Sequence, residues 1–154
     1  MTQDNERTFL LIKPDAVQRG LVGRIIGKIE DKGLKLVALK LVQVTPEQAA
    51  RQYECHKGRP FYDSLIQFIC SSPSVAMVIE GRNAVSICRK IMGATAPDES
   101  QPGTIRGDFS LDLKHNLIHG SDSAESFAHE VAVYFTADEI LNYHLDLERW
   151  IYYS

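Results

Sequence analysis

The sequence has few of the features that mark secreted, membrane-spanning or nucleic-acid-binding proteins. Its three cysteines are odd in number and widely spaced, so they form neither a disulfide framework nor a zinc motif. No apolar run approaches the roughly 20 residues of a membrane-spanning helix. A formal net charge of -3 provides no overall basic field for nucleic acid or an acidic membrane. The polar, acidic N-terminus is unlike a signal peptide. Together these absences predict a cytoplasmic protein.

Motifs of the common nucleotide-binding folds are also missing. The glycine-rich stretch at residues 20–29 is not a P-loop, because Val22 stands where the first glycine belongs and Ile29 where Ser or Thr would hold Mg²⁺. No Gly-x-Gly-x-x-Gly occurs, so neither a Rossmann nor a protein-kinase loop is supported. If the chain handles nucleotides, it does so in another way.

Alternating strand and helix patterns indicate the fold class. Of the 154 residues, 44% are hydrophobic and 24% charged, which is typical of one globular domain, here taken as residues 1–154. Apolar patterns predict strands at residues 8–12, 34–44, 75–79 and 131–135, and helices at residues 20–33, 46–53, 61–70, 83–92 and 124–130. Capping boxes begin at Thr45 and Thr136, and the second predicts a closing helix. This order predicts an α/β (α+β) sandwich of the ferredoxin-like βαββαβ kind, with a four-stranded antiparallel sheet and additional helices.

The region from residue 93 to about residue 118 has no sustained period. It contains two prolines and three glycines. A loop of that length inside a compact domain is usually functional or disordered.

His119 is the leading candidate for chemistry. A neutral imidazole is a good nucleophile near pH 7, and Gly120 beside it allows a close backbone approach or a sharp turn. Glu130, eleven residues later, is placed to hydrogen-bond the imidazole and fix its tautomer. The alternatives are a structural or surface histidine and a solvated helix glutamate. The other histidines have no second ligand at a metal-binding spacing, so no metal bound by protein side chains is expected.

Separate cations and an aromatic ring make up a second candidate group. Lys13 follows the first strand, Arg89 lies in an apolar helix, and Arg106 lies between loop glycines. Guanidinium groups match phosphate oxygens, and an exposed ring such as Phe61 can stack on a base. Each residue also has an ordinary alternative, as a solvated cation or a core aromatic.

Five ordered segments resemble the nucleoside diphosphate kinase family, over about residues 7–152. They are residues 8–23 (TFLLIKPDAVQRGLVG), 59–61 (RPF), 93–95 (GAT), 102–108 (PGTIRGD) and 116–123 (NLIHGSDS). The resemblance implies a ferredoxin-like fold and ping-pong transfer of a γ-phosphoryl group, typically from ATP, to a nucleoside diphosphate through a phosphohistidine on His119. Cys55 departs from the family where many members carry an acidic residue, and Ala16 replaces a common glycine.

The resemblance also implies roles for the site residues. Glu130 would orient His119, Ser121 would support it by a hydrogen bond, and Tyr53 would line the site. Phosphates and the ribose hydroxyl would be held by a group of polar residues: Lys13, Arg89, Thr95, Arg106 and Asn116. Phe61 would stack on one face of the base and Leu113 on the other, and Mg²⁺ would arrive on the nucleotide's phosphates rather than in a protein cage.

Assembly and alternative functions also follow from the resemblance. The family forms hexamers or tetramers built on dimers, and the long apolar C-terminus, residues 150–153, favours six subunits and is expected to dock on its own chain or a neighbour. A non-catalytic nucleotide sensor and a protein-histidine phosphotransferase are the other two hypotheses. The preferred nucleotide and the phosphorylated imidazole nitrogen stay open.

Overall fold

A four-stranded antiparallel sheet organises the computed structural model, which describes residues 5–153. Its strands are β1 (Asn5–Ile12), β2 (Lys35–Val42), β3 (Ser74–Arg82) and β4 (Ile118–Gly120), in the order β2-β3-β1-β4. The predicted ferredoxin-like class is confirmed. Residues 1–4, which belong to the polar N-terminus discussed above, and residue 154 lie outside the described residues.

Eight α-helices and two 3₁₀ turns are present in residues 5–153. The helices are α1 (Pro14–Gln18), α2 (Val22–Asp31), α3 (Pro46–Gln52), α4 (Tyr62–Ile69), α5 (Ala84–Met92), α6 (Ile105–Phe109), α7 (Ala124–Tyr134) and α8 (Glu148–Ile151). The 3₁₀ turns are Glu54–His56 and Ala137–Glu139. Two of these helices, α1 and α6, are too short to show a periodic apolar pattern, and the sequence analysis did not predict them.

Strand β1 supplies side chains to a hydrophobic core on each face of the sheet. Leu10 and Ile12 join one core with Ile25 and Ile29 of α2, whereas Phe9 and Leu11 join the other with residues of α3, α4 and α7. Alternation along a strand places successive side chains on opposite faces. A strand buried on both faces reads as a continuous apolar run, which is the pattern of residues 8–12.

The predicted strand at residues 131–135 is wrong. Helix α7 continues through Tyr134, and Val133 and Tyr134 are buried in the core that α7 shares with the sheet. A short apolar run does not distinguish a buried strand from the last turns of a buried helix. The fourth strand is the three-residue β4, which lies at the end of the region expected to be a loop.

The capping box at Thr136 is confirmed, but the closing helix that it predicted is not. Thr136 and Glu139 form reciprocal hydrogen bonds around a single 3₁₀ turn, and the chain leaves the helical conformation at Ile140. A capping box satisfies backbone N–H groups of a first turn, and it does not by itself continue the helix.

The C-terminal segment docks partly on its own chain. The hydroxyl of Tyr152 accepts a hydrogen bond of 3.1 Å from the backbone N–H of Arg82, and Ile151 packs against Gly33. Trp150 is 77% exposed and Tyr153 is 97% exposed. Among residues 5–153, no helix is long and apolar enough to cross a membrane.

The capping box of α3 predicts that the Thr45 hydroxyl contributes to the stability of the protein. Gln48 N–H donates to the Thr45 hydroxyl at 3.1 Å, and Thr45 N–H donates to the Gln48 side chain at 3.0 Å. We expect Thr45→Ala to lower the free energy of unfolding by about 1 kcal/mol. Urea denaturation at fixed protein concentration measures this, with Thr45→Ser as the control that keeps the hydroxyl. Equal stability of the alanine and serine variants would contradict the prediction.

Candidate active site

The pairing of β4 with β1 aims His119 at the helical layer formed by α3 and α7. His119 lies directly opposite Leu11 in the antiparallel register, so the two side chains share one face of the sheet. Leu11 belongs to the core on the α3 and α7 side. The short strand therefore directs the imidazole towards the helix that carries Glu130.

A carboxylate and a hydroxyl fix the imidazole of His119. Its Nε2 lies 3.0 Å from each carboxylate oxygen of Glu130, and the Ser121 hydroxyl donates to Glu130 Oε1 at 2.6 Å. Glu130 and Ser121 are both buried. Because a carboxylate accepts hydrogen bonds, the proton of the neutral imidazole is on Nε2 and the lone pair is on Nδ1.

Two aromatic rings lie beside the imidazole. Tyr53, at the end of α3, meets the His119 ring edge-on with centroids 6.2 Å apart, and Phe9 lies at 6.4 Å. Burial, with a smaller effect of nearby Tyr134 and Glu130, raises the pKa of Tyr53, so its hydroxyl stays protonated. Among residues 5–153 that buried hydroxyl has no hydrogen-bond partner, so its capacity to donate is unused in this structure.

Three cationic side chains donate hydrogen bonds to the chain segment on either side of His119. Lys13 Nζ donates to Asn116 Oδ1 at 2.9 Å. Arg106 donates to the carbonyls of Gly93 at 2.9 Å, Asn116 at 3.0 Å and Ile118 at 2.5 Å. A guanidinium has five N–H groups, so Arg106 keeps donors for a further acceptor. Arg89 donates to the carbonyl of Gly120 at 3.1 Å, directly after His119.

Burial and mutual repulsion perturb these cations. Burial, assisted by repulsion from Arg106 and opposed by Asp15, lowers the pKa of Lys13 to about 8. Burial, with repulsion from Arg89, lowers the pKa of Arg106 to about 10. Groups that lose charge this readily are stabilised by an incoming anion. The cluster is therefore suited to a polyphosphate.

A cleft of about 460 Å³ adjoins the cations. It is lined by the predicted base-stacking residues Phe61 and Leu113, by Lys13 and Asn116, and by further residues: Ser64, Leu65, Phe68, Lys114 and His115. Phe61 is 40% exposed and Leu113 is 57% exposed, so both present apolar surface to the cleft. A groove of about 480 Å³ between α2 and α5 contains none of the predicted site residues.

Thr95 and Cys55 are less clearly placed. Thr95 is exposed and lies two residues after Gly93, whose carbonyl anchors Arg106, but among residues 5–153 no hydrogen bond joins its side chain to the other site residues. Cys55 is an exposed free thiol in a surface pocket that Glu130 also lines. Within residues 5–153, no group of three or more His, Cys, Asp or Glu side chains is arranged to hold a metal ion.

One contact next to the site was not predicted from the sequence. The Tyr134 hydroxyl donates to Gln52 Oε1, and the Tyr134 ring stacks on Phe9 with centroids 5.3 Å apart. This bond ties α7, which carries Glu130, to the residue before Tyr53. A helical interpretation of residues 131–134 would have placed Tyr134 one turn after Glu130 on the same face. The partner, Gln52, is 82 residues away and has no mark in the sequence.

Comparison with known proteins identifies the family. The family model "Nucleoside diphosphate kinase" matches residues 6–140. A nucleoside diphosphate kinase of Staphylococcus epidermidis is 58% identical over 147 residues, covering 96% of this chain and 99% of the relative. One from Archaeoglobus fulgidus is 50% identical, with 96% and 97% covered. The chain belongs to the nucleoside diphosphate kinase family.

Solved structures of the nucleoside diphosphate kinase family share this architecture. The enzyme of Halobacterium salinarum, in complex with CDP, matches with a TM-score of 0.93 and 46% identity, covering 96% of this chain and 99% of that one. A family protein from Babesia bovis matches with a TM-score of 0.93 and 44% identity. The chain is thus a phosphotransferase of a family whose mechanism passes through a phosphohistidine.

The contact between His119 and Glu130 generates a prediction for turnover. We expect Glu130→Gln to reduce kcat by at least about 100-fold, since an amide neither fixes the tautomer firmly nor stabilises positive charge on the ring. Steady-state phosphoryl transfer between nucleotides measures it. Glu125→Gln, an exposed glutamate in the first turn of the same helix, is the control. A Glu130→Gln variant with the kcat of that control would contradict the assignment.

The lowered pKa of Lys13 predicts pH-dependent binding. The Lys13 ammonium is present below pH 8 and is lost as the pH rises through the pKa of about 8. We expect the affinity for a nucleoside diphosphate to fall above pH 8, towards about tenfold per pH unit if one proton is linked. Calorimetric titration from pH 7.5 to 9.5 measures this, and Lys13→Arg should flatten the dependence. An unchanged pH dependence in that variant would contradict the role of Lys13.

Proposed function

We propose that His119 of this chain is the nucleophile of a nucleoside diphosphate kinase, accepting the γ-phosphoryl group of a nucleoside triphosphate and passing it to a nucleoside diphosphate. The observation that carries this proposal is the Glu130 carboxylate, 3.0 Å from Nε2 through both oxygens, which leaves Nδ1 as the attacking atom. Phosphorylation on Nδ1 is therefore part of the proposal.

The proposed step is a displacement at phosphorus. The Nδ1 lone pair forms a bond to the γ-phosphorus while the bond to the β,γ-bridging oxygen breaks and its electron pair leaves with the diphosphate. Positive charge that grows on the ring is stabilised by Glu130 across the Nε2–H bond, and Ser121 holds the carboxylate in place. The second half-reaction reverses these events with a different nucleoside diphosphate.

The cations are proposed to bind the phosphates. Lys13 and Arg106 converge on Asn116, and Arg89 donates to the carbonyl of Gly120, so all three cations are bonded to the short segment that carries His119. Phosphoryl transfer gathers negative charge on the transferring oxygens, and fixed cations there stabilise the transition state. Asn116 and Thr95 are proposed to contact phosphate or the ribose hydroxyl, and Tyr53 to donate its free hydroxyl near the transferring group.

The base is proposed to stack between Phe61 and Leu113 in the cleft. A base held by its faces, without hydrogen bonds to its edges, is tolerated whatever its identity, because every base has a π-face. The apolar surfaces of Phe61 and Leu113 line the same cleft as Lys13 and Asn116, which is the arrangement that a nucleotide requires.

Mg²⁺ is the proposed metal, carried by the nucleotide's phosphates. The family uses a divalent metal. The side chains proposed to bind the phosphates are mainly cations, which do not ligate a metal, and this fits a metal that arrives already bound to phosphate and keeps most of its waters. Bound there, it would neutralise phosphate charge.

We also propose a homo-oligomer of six chains, rather than four, in a reducing cytoplasmic compartment. Leu39 and Leu41 of the edge strand β2 are 51% and 67% exposed, and Trp150 is 77% exposed. Apolar residues on a sheet edge favour pairing with another chain. The cysteines Cys55, Cys70 and Cys88 are all free thiols, which fits a reducing compartment.

Light scattering coupled to gel filtration measures the assembly. We expect the mass of six chains, and we expect Leu39→Lys with Leu41→Lys to reduce it, since charges on a strand edge oppose pairing. A wild-type mass of one or four chains would contradict the proposed hexamer.

The phosphoenzyme provides the decisive test of the activity. Brief incubation with γ-labelled ATP and Mg²⁺ should give acid-labile, alkali-stable label on the protein, which a GDP chase should recover as GTP. His119→Ala should bind nucleotide and carry no label, whereas His129→Ala, which changes an exposed histidine on α7, should be labelled normally. Nucleotide binding without label in the wild type would instead support a sensor, and label passed to another protein a histidine phosphotransferase.

A further inference from the structure

The backbone just before His119 is held in a rarely adopted turn. Leu117 has a φ of +75°, one of two positive values among the non-glycine residues in residues 5–153. The N–H of Ile118 donates to the carbonyl of Asn116 at 2.9 Å, which closes a three-residue γ-turn around Leu117. A γ-turn with positive φ at its centre is strained, and leucine has no special tolerance for it. Such backbone persists only where its surroundings hold it.

Both ends of this turn carry residues of the proposed site. Asn116 Oδ1 accepts from Lys13, and Ile118 is followed directly by His119. Leu117 itself is fully buried in the core next to Ile118. A relaxed turn would therefore move Asn116 relative to His119.

Four hydrogen bonds hold the turn. Arg106 donates to the carbonyls at its two ends, and the backbone N–H of Lys13 donates to the carbonyl of Leu117 at 2.8 Å. The remaining backbone group, the N–H of Leu117, donates to Asp15 Oδ2 at 3.1 Å. The other three hydrogen bonds come from Arg106 and Lys13, which are both proposed to bind phosphate, whereas Asp15 is not one of the proposed phosphate-binding residues.

Asp15 also lies close to Lys13. It follows Pro14, which begins α1, and its negative charge counteracts the burial and the Arg106 repulsion that lower the pKa of Lys13. The cleft that Lys13 lines also contains Lys114 and His115, so the groups facing it are predominantly basic. Asp15 Oδ1 is buried and has no hydrogen-bond partner among residues 5–153.

We propose that Asp15 is a positioning residue, whose carboxylate holds the N–H of Leu117 in the strained turn and keeps Lys13 charged, so that Asn116, Lys13 and His119 meet one nucleotide in the correct geometry. This inference rests on the proposed function. Asp15 does not touch the reacting atoms, and it acts through the turn and through Lys13.

Two substitutions separate the two effects. Asp15→Ala removes both the acceptor and the charge, and we expect kcat/KM to fall about 10- to 100-fold, as for the loss of a group that orients a site residue. Asp15→Asn keeps an acceptor oxygen for Leu117 and removes the charge. We expect the kcat/KM of this variant to stay within about threefold of the wild-type value at pH 7. Its kcat/KM should decline at a lower alkaline pH than that of the wild type, because Lys13 loses its proton at a lower pH. Glu47→Ala is the matched control, since Glu47 is exposed and also follows a proline at the start of its helix.

The readouts are the pH profile of kcat/KM and the rate of phosphoenzyme formation, with circular dichroism to verify folding. The proposal would be overturned if the kcat/KM of Asp15→Ala were within twofold of that of the Glu47→Ala control. It would also be overturned if the kcat/KM of Asp15→Asn declined at the same alkaline pH as that of the wild type. If Asp15→Ala does not fold, the pH at which the kcat/KM of Asp15→Asn declines tests the proposal by itself. A wild-type protein that forms no phosphoenzyme would instead overturn the proposed function, so the two failures are distinguishable.

Discussion

The hydrogen bond between His119 Nε2 and the Glu130 carboxylate is the contact on which the proposed chemistry depends. It fixes the tautomer and the orientation of the ring, and it leaves Nδ1 as the nitrogen that the proposed reaction uses. It requires two consecutive elements, the three-residue strand β4 and the helix α7, to be placed within hydrogen-bond reach. The antiparallel pairing of β4 with β1 and the packing of α7 on the sheet provide that placement. The sheet and α7 together therefore place the carboxylate of Glu130 beside the imidazole of His119.

The cations around that contact are electrostatically costly in the absence of a ligand. Lys13 and Arg106 are both buried and both lose part of their affinity for protons, because burial and the neighbouring positive charges disfavour the charged forms. In the proposed function a triphosphate supplies the missing negative charge, and part of its binding free energy comes from relieving this repulsion. Under that proposal Arg106 and Arg89, which are anchored to the backbone carbonyls of Gly93 and Gly120, take the place of the backbone N–H groups of a glycine-rich phosphate loop.

Much of the fold could be predicted from sequence, because the long elements carry clear periodic patterns. Strand β1 and helix α2 are of this kind, and the capping box at Thr45 marks the start of α3 correctly. Errors arose where tertiary contacts decide the structure. Strand β4 has only three residues, too few for a periodic signal, and residues 131–134 continue a helix because their side chains pack on the sheet. For the site, His119, Glu130, the cations and Phe61 were identified from the chemistry of their side chains, and the family resemblance added the remaining residues: Tyr53, Thr95, Leu113, Asn116 and Ser121. The bond between Tyr134 and Gln52 and the strained turn at Leu117 leave no signature in a single sequence.

The position of the phosphoryl group on the imidazole tests the central claim most directly. Uniformly ¹⁵N-labelled protein, phosphorylated with ATP and Mg²⁺ and kept at alkaline pH, would be examined by ¹H–¹⁵N and ³¹P NMR through the couplings of the ring nitrogens of His119. The account predicts phosphorus on Nδ1 and a proton on Nε2, since Glu130 holds Nε2. Phosphorus on Nε2 would contradict it, because the ring would then have to turn away from the carboxylate on which the arrangement of the site depends.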